Sequence, residues 1–183
     1  MESGLEIFDI GFYKTLKGKA AVAARLNGMQ PVLLINEEPY FVKMHFGILE
    51  PAGNYHIDHI NLNDLEMDKA TKKLSFYYNL NTKSRTSVAS DITDFPPGVV
   101  RVEIPNKYFL DPVAMARANG RDPKDYHWYG IPLRMYRVAK IIPLRNTEVA
   151  ILIKNNCERL GIDLPRQITR AKHHQNKRKG LGL

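Results

Sequence analysis

Cysteine is almost absent from this chain: Cys157 is the only one in 183 residues. A single thiol makes no internal disulfide and no ligand set for structural zinc, which points to a reducing, cytoplasmic compartment. Long apolar runs are missing too. The longest, such as residues 31–35 (PVLLI), have the length of a strand, far short of the roughly 18–20 residues of a membrane-spanning helix. The opening MESGLEIFDI lacks the basic segment and apolar core of a secretory leader. No glycine loop that would cradle phosphate stands ahead of a helical pattern, since Gly180 and Gly182 lie at the terminus. Nothing in these absences calls for a cofactor, and none is expected.

Acidic residues are missing from one stretch. The last is Asp163, and after it come Arg166, Arg170, Lys172, Lys177, Arg178 and Lys179, with His173 and His174 between them. The formal net charge of +8 (27 basic residues against 19 acidic) is therefore uneven. The tail holds six of the basic residues, which leaves 21 against 19 in the body. A nearly balanced body with a basic end suggests an anionic partner for that end: nucleic acid, a lipid headgroup surface or an acidic protein.

The rest of the composition is ordinary. Hydrophobic residues make up 44% and charged residues 25%, enough for a chain of this length to fold around its own apolar core. Residues 17–26 are Ala-rich and helical in pattern, ending at Asn27-Gly28. PVLLI (31–35) and YFVKMHF (40–46) flank Asn36-Glu37-Glu38-Pro39 and predict a β-hairpin, with Pro39 kept in the turn because it cannot extend a ladder. YHIDHINL (55–62) alternates weakly, LSFYYNL (74–80) is an aromatic strand, and VVRVEI (99–104) alternates cleanly. Residues 81–98 predict a long or partly paired loop. Asp111 caps a helix opened by Pro112 and ending near Asn119-Gly120. MYRVAKIIPL (135–144) predicts one strand closed by Pro143. The strongest helix runs over 147–160, with Val149, Ile153, Cys157 and Leu160 as its apolar stripe and Gly161 as its stop. Central strands and flanking helices, without regular crossovers, give an α+β fold with a mainly antiparallel sheet, a C-terminal helical pair and a basic tail. The expected division is one domain over 1–164 and a basic helix or tail over 165–183.

Three constellations are candidates for function. In the first, helix 147–160, a turn at Gly161 and a basic helix from Leu164 have the order of a helix-turn-helix unit. Leu164 and Ile168 would pack back on the first helix, and Arg166, Gln167, Arg170 and Lys172 would face outward toward nucleic acid, followed by Lys177, Arg178 and Lys179. Gln167 departs from the pattern, standing where such units carry an apolar residue. In the second, Phe76 and Tyr78 share one face of a strand, with Lys72 and Lys73 at one end and Lys83 and Arg85 at the other, a mixture that stacks bases and follows phosphates in single-strand binders. The competing expectation is that both rings are sheet core.

The third is His56-Ile57-Asp58-His59. His56 and Asp58 share a strand face, and with His127 they would make a two-histidine, one-carboxylate metal face. Arg137, ten residues beyond His127, adds a spacing that resembles the Fe(II)/2-oxoglutarate oxygenases, in which a basic residue holds the co-substrate carboxylate. His59 has no place in that scheme. Two histidines around one apolar residue would resemble tyrosine-nucleophile nucleases, with Tyr136 and Lys140 as nucleophile and helper, but Asp58 replaces the second histidine. The basic tail is the largest anomaly, so the expectation is a non-enzymatic accessory protein that binds DNA or RNA, or an acidic assembly. The alternatives are a structural subunit of a larger particle, whose prolines and extended loops pack against protein partners, and a metal enzyme centred on His56, Asp58 and His127.

Overall fold

The computed structural model describes residues 9–53, 57–124, 132–166 and 168, and their fold is α+β. The chain divides into two compact units: residues 1–76 with 102–140, and residues 77–101 with 141–183.

The first unit opens with two short helices, α1 (Ile10–Thr15) and α2 (Gly18–Leu26). Helix α2 ends where the Asn27-Gly28 pair predicts, with Gly28 at a φ of 99°. The expected hairpin follows as β1 (Val32–Ile35) and β2 (Glu38–Lys43), paired antiparallel from Val32↔Phe41 to Ile35↔Glu38. Its turn is two residues long, and Asn36 takes the left-handed φ of 55° that asparagine tolerates. Pro39 lies in the ladder and not in the turn, opposite Leu34. The pairing shows why this is allowed. The Val42 N–H donates to the Pro31 carbonyl (2.8 Å), which makes Leu34↔Pro39 a non-hydrogen-bonded pair whose proline nitrogen faces away from β1. On its other edge Pro39 needs only its carbonyl, which accepts from the Ala52 N–H (2.9 Å).

Strands β3 (Ile48–Pro51) and β4 (Ile60–Asn61) extend this sheet in antiparallel fashion. Its order is β4-β3-β2-β1-β9, and β9 (Tyr136–Val138) lies parallel to β1. That parallel pairing revises the expectation of a single strand over 135–144. Ala139 donates its N–H to Leu34 (2.8 Å) as the last bond to β1, and the chain then leaves for a separate strand, β10 (Lys140–Pro143), in the second sheet. Val32, Ala21, Tyr13, Val113, Leu133 and Met135 form one buried cluster of this unit, beside further buried side chains such as Leu33, Ile35, Tyr40 and Leu49. Each large side chain buried there contributes about 1.5–3 kcal/mol.

The second sheet runs β10-β8-β6-β5, with β5 (Glu66–Met67) pairing the first half of β6 (Leu74–Asn79) and β7 (Ser84–Thr86) the second. Strand β8 (Val99–Ile104) has the predicted bounds. The chain passes between the two units inside β6, β8 and β10.

Two further helices belong to the first unit, α3 (Lys107–Leu110) and α4 (Pro112–Ala118). Asn106 caps α3, accepting from the N–H groups of Tyr108 (3.1 Å) and Phe109 (3.3 Å). Asp111 caps α4 as expected, accepting from Ala114 N–H (3.0 Å). It does more than cap. Its other oxygen takes both Nε (2.9 Å) and Nη2 (2.8 Å) of Arg25 from α2, and Asp111 and Arg25 are 0% and 4% exposed. This pair ties the N-terminal helices to α4.

The second unit is organised by α5 (Glu148–Leu160), capped by Thr147 and closed by Gly161 in the left-handed conformation (φ 67°). Val149, Ile153 and Cys157 are buried with Leu144. Leu160, the expected fourth member of the stripe, is exposed; Asn156 is buried in its stead. The Asn156 amide donates to the carbonyls of Ser90 (2.9 Å) and Ile92 (2.8 Å), so residues 81–98 are held as a built segment and not a free loop. Gln167 and the residues beyond Ile168, which hold most of the expected second helix and the basic tail, lie outside the described residues.

Candidate nucleic-acid interface

The cations of the expected tail begin at the foot of the second unit. Leu164 and Ile168 pack against the cluster of Leu144, Val149, Ile153 and Cys157. Arg166, between them, is exposed. Cys157 is buried in this core, with its Sγ donating to the Thr93 carbonyl at 3.4 Å. Gln167, Arg170, Lys172, Lys177, Arg178 and Lys179 lie outside the described residues.

One carboxylate in this unit is strongly engaged. Glu148 opens α5, where a negative charge suits the helix dipole. It accepts from the Tyr77 hydroxyl (2.6 Å) and from Arg101 (2.6 Å). Burial pushes its pKa up, but the Tyr77 hydrogen bond, its own backbone amide and Arg101 outweigh this and hold the carboxyl below its ordinary value. Arg101 is thereby occupied, leaving it less suited to bind an external anion.

The aromatic candidates do not form a stacking face. Phe76 and Tyr78 are 6% and 1% exposed, so both rings are sheet core and offer no open π-face to a base. Lys72 and Lys73 are exposed beside them in the β5–β6 turn. Lys73 reaches Glu103 at 3.7 Å, and Lys140 shares the same carboxylate at 3.4 Å.

The structure exposes a different ring. Phe46 is 67% exposed at the tip of the four-residue turn between β2 and β3, with the His45 ring packed edge-on at 5.0 Å. Gly47 closes that turn at a φ of 68°, a left-handed conformation that favours glycine, and a Cβ there would have to displace the Asn63 amide end at 2.9 Å. Phe46 and His45 border a cleft of about 650 Å³ that also carries Gln30, Lys43 and Arg117. Lys43 pairs with Glu50 across the ladder. An exposed aromatic beside histidine and arginine is the mixture sought at Phe76 and Tyr78, found on another hairpin. The sequence signal was present, since MHFG combines an aromatic with a turn glycine, but strand alternation alone does not mark a turn tip.

No protein-family model matches this chain, and comparison with curated proteins and with solved structures finds no match either.

Of the metal candidates, His56 and His127 lie outside the described residues, and Asp58 and His59 are exposed. Among the described residues no three His, Cys, Asp or Glu side chains gather to hold a metal ion. Tyr136 carries Lys14 over its ring at 5.2 Å, while Lys140 is engaged with Glu103. Arg137 lies half-buried on β9, and its buried Nε has no hydrogen-bond partner among the described residues.

Proposed function

We propose that this protein is a non-enzymatic accessory factor that binds nucleic acid through its basic C-terminal segment. The observation that supports this reading most is the junction at 164–168. Six cations follow the last acidic residue, and they begin on a stretch anchored by Leu164 and Ile168 to the α5 core with Arg166 turned outward. An anchored base gives a cationic segment a fixed origin, so its lysines and arginines are delivered to one place while they neutralise phosphates and release counterions. The body's ring for stacking an unpaired base is Phe46.

The test is fluorescence anisotropy with labelled single- and double-stranded DNA and RNA. The full chain is compared with a variant carrying Gln at Arg170, Lys172, Lys177, Arg178 and Lys179. That variant keeps the Leu164–Ile168 anchor, so a loss of affinity reports charge and not unfolding. Equal affinity in the two forms rejects the reading.

A second reading, a subunit of a larger particle, is favoured by Val138. This residue is 59% exposed on β9, an edge strand of the first sheet, and an apolar edge is a surface for pairing with another chain. Its signature is a protein partner held at fixed stoichiometry, with no nucleic-acid binding by the isolated chain.

A further inference from the structure

A second cleft, of about 470 Å³, opens in the first unit between the α1–α2 junction and the start of β9. Its charged lining is Lys14, Lys17 and Arg134, and among the described residues no carboxylate lines it. None of these three cations makes an ion pair with a described residue. Arg137 adds a fourth positive charge close to Arg134. Burial, and then the like charge of Arg134, pulls the Arg137 pKa down from its ordinary value. Leu16, Leu133 and the Tyr136 ring form an apolar wall.

Gathering like charges around a concave surface is unfavourable while the surface is empty, and the same field concentrates anions there. The chemistry of the donors narrows the anion. Arginine presents a planar fork suited to phosphate oxygens, and lysine adds mobile point charges. The first turn of the nine-residue α2 helix has no acidic residue and no side-chain cap, and Lys17 and Gly18 at its start line the cleft. Its peptide dipoles add to the positive potential. The volume falls within the roughly 300–1,000 Å³ of small-molecule sites.

We propose that this cleft binds a phosphate-bearing ligand of mononucleotide size. Lys14, Lys17 and Arg134 hold the phosphate, and Leu16, Leu133 and Tyr136 take the apolar remainder. The proposal stands apart from the nucleic-acid reading, because none of its residues lies in the C-terminal segment. The phosphate belongs either to a free nucleotide or to the 5′ end of a strand.

The test is calorimetric titration of the full chain at low salt with inorganic pyrophosphate, AMP, ATP, and short oligothymidylate with and without a 5′-phosphate. Repeating the titrations with the five tail cations changed to Gln removes any contribution of the tail itself. Binding is expected to persist in that background. Lys14→Met, Lys17→Met and Arg134→Met are each expected to weaken it about tenfold or more, whereas Lys154→Met, on α5, leaves it unchanged. Nucleotide bound without strand preference identifies the free nucleotide. Preference for the phosphorylated strand over its hydroxyl counterpart identifies a strand end. The proposal is overturned if no phosphate ligand binds at millimolar concentration, or if binding disappears with the tail cations or survives the triple Lys14, Lys17 and Arg134 substitution.

Discussion

Replacing Asp111 with Asn keeps the size of the side chain and removes one charge. In the native protein both carboxylate oxygens are occupied: Oδ2 receives Nε and Nη2 of Arg25, and Oδ1 receives the Ala114 N–H. An asparagine that keeps the helix cap with its oxygen turns its NH₂ toward the guanidinium, so donor faces donor. One that flips restores a contact to Arg25 and loses the cap. Either way the Arg25 cation stays buried without a counter-charge, for which the expected cost is about 3–5 kcal/mol. With a urea dependence of about 2 kcal/mol per molar, the unfolding midpoint of the first unit falls by about 2 M, with its slope unchanged. Arg25→Met alone is similarly costly, because it strands the carboxylate. The double substitution Arg25→Met with Asp111→Asn recovers much of the loss, since no unpaired charge remains. A loss below about 1 kcal/mol in Asp111→Asn, or a double variant as unstable as the sum of the singles, refutes the claim that this buried pair joins α2 to α4.

Two further predictions concern the α5 carboxylate and the exposed ring. Glu148 has a folded-state pKa below its ordinary value of 4.5. Its contribution to stability is therefore complete above that value and is lost as the pH falls through the lower folded value. Glu148→Gln is expected to flatten the acid limb of the stability–pH profile, measured by urea unfolding from pH 6 downward, and an unchanged profile contradicts the assignment. Phe46→Ala is expected to weaken single-stranded binding by about 1–3 kcal/mol, the worth of one stacked base, while leaving duplex binding and thermal stability unchanged; equal losses on both ligands would argue against stacking.

How far the sequence discloses the fold depends on whether the deciding interactions are local. Strand β8, the pairing of β1 with β2 and α5 with its Gly161 stop are governed by alternation, turn chemistry and capping within a few residues and are legible, whereas the place of Pro39 in the ladder is not. Nor is the break at Ala139. An apolar run such as 135–144 shows that a strand exists, but the partner of each half is chosen by β1 and by the second sheet, far away in sequence. Asn156 displaces Leu160 from the buried face because two carbonyls more than sixty residues away need its amide. Arg25 looks like an ordinary helix cation, since its partner lies 86 residues on. At the candidate site, alternation places Phe76 and Tyr78 on one face, and the expectation that both rings are sheet core holds against the stacking alternative. Phe46 escapes notice because its exposure comes from the turn and not from any periodicity. The cationic cleft draws on Lys14, Lys17 and Arg134, which only the packing of α1, α2 and β9 brings to one wall.

The slope of affinity against salt counts the C-terminal cations proposed to neutralise phosphates. If all six tail cations engage a duplex, log K falls against log salt with a slope of about −5. Changing the five beyond Ile168 to Gln leaves Arg166 alone, and the slope is expected to drop to about −1. A steep slope that survives the five substitutions places the phosphate contacts elsewhere on the protein and contradicts the account.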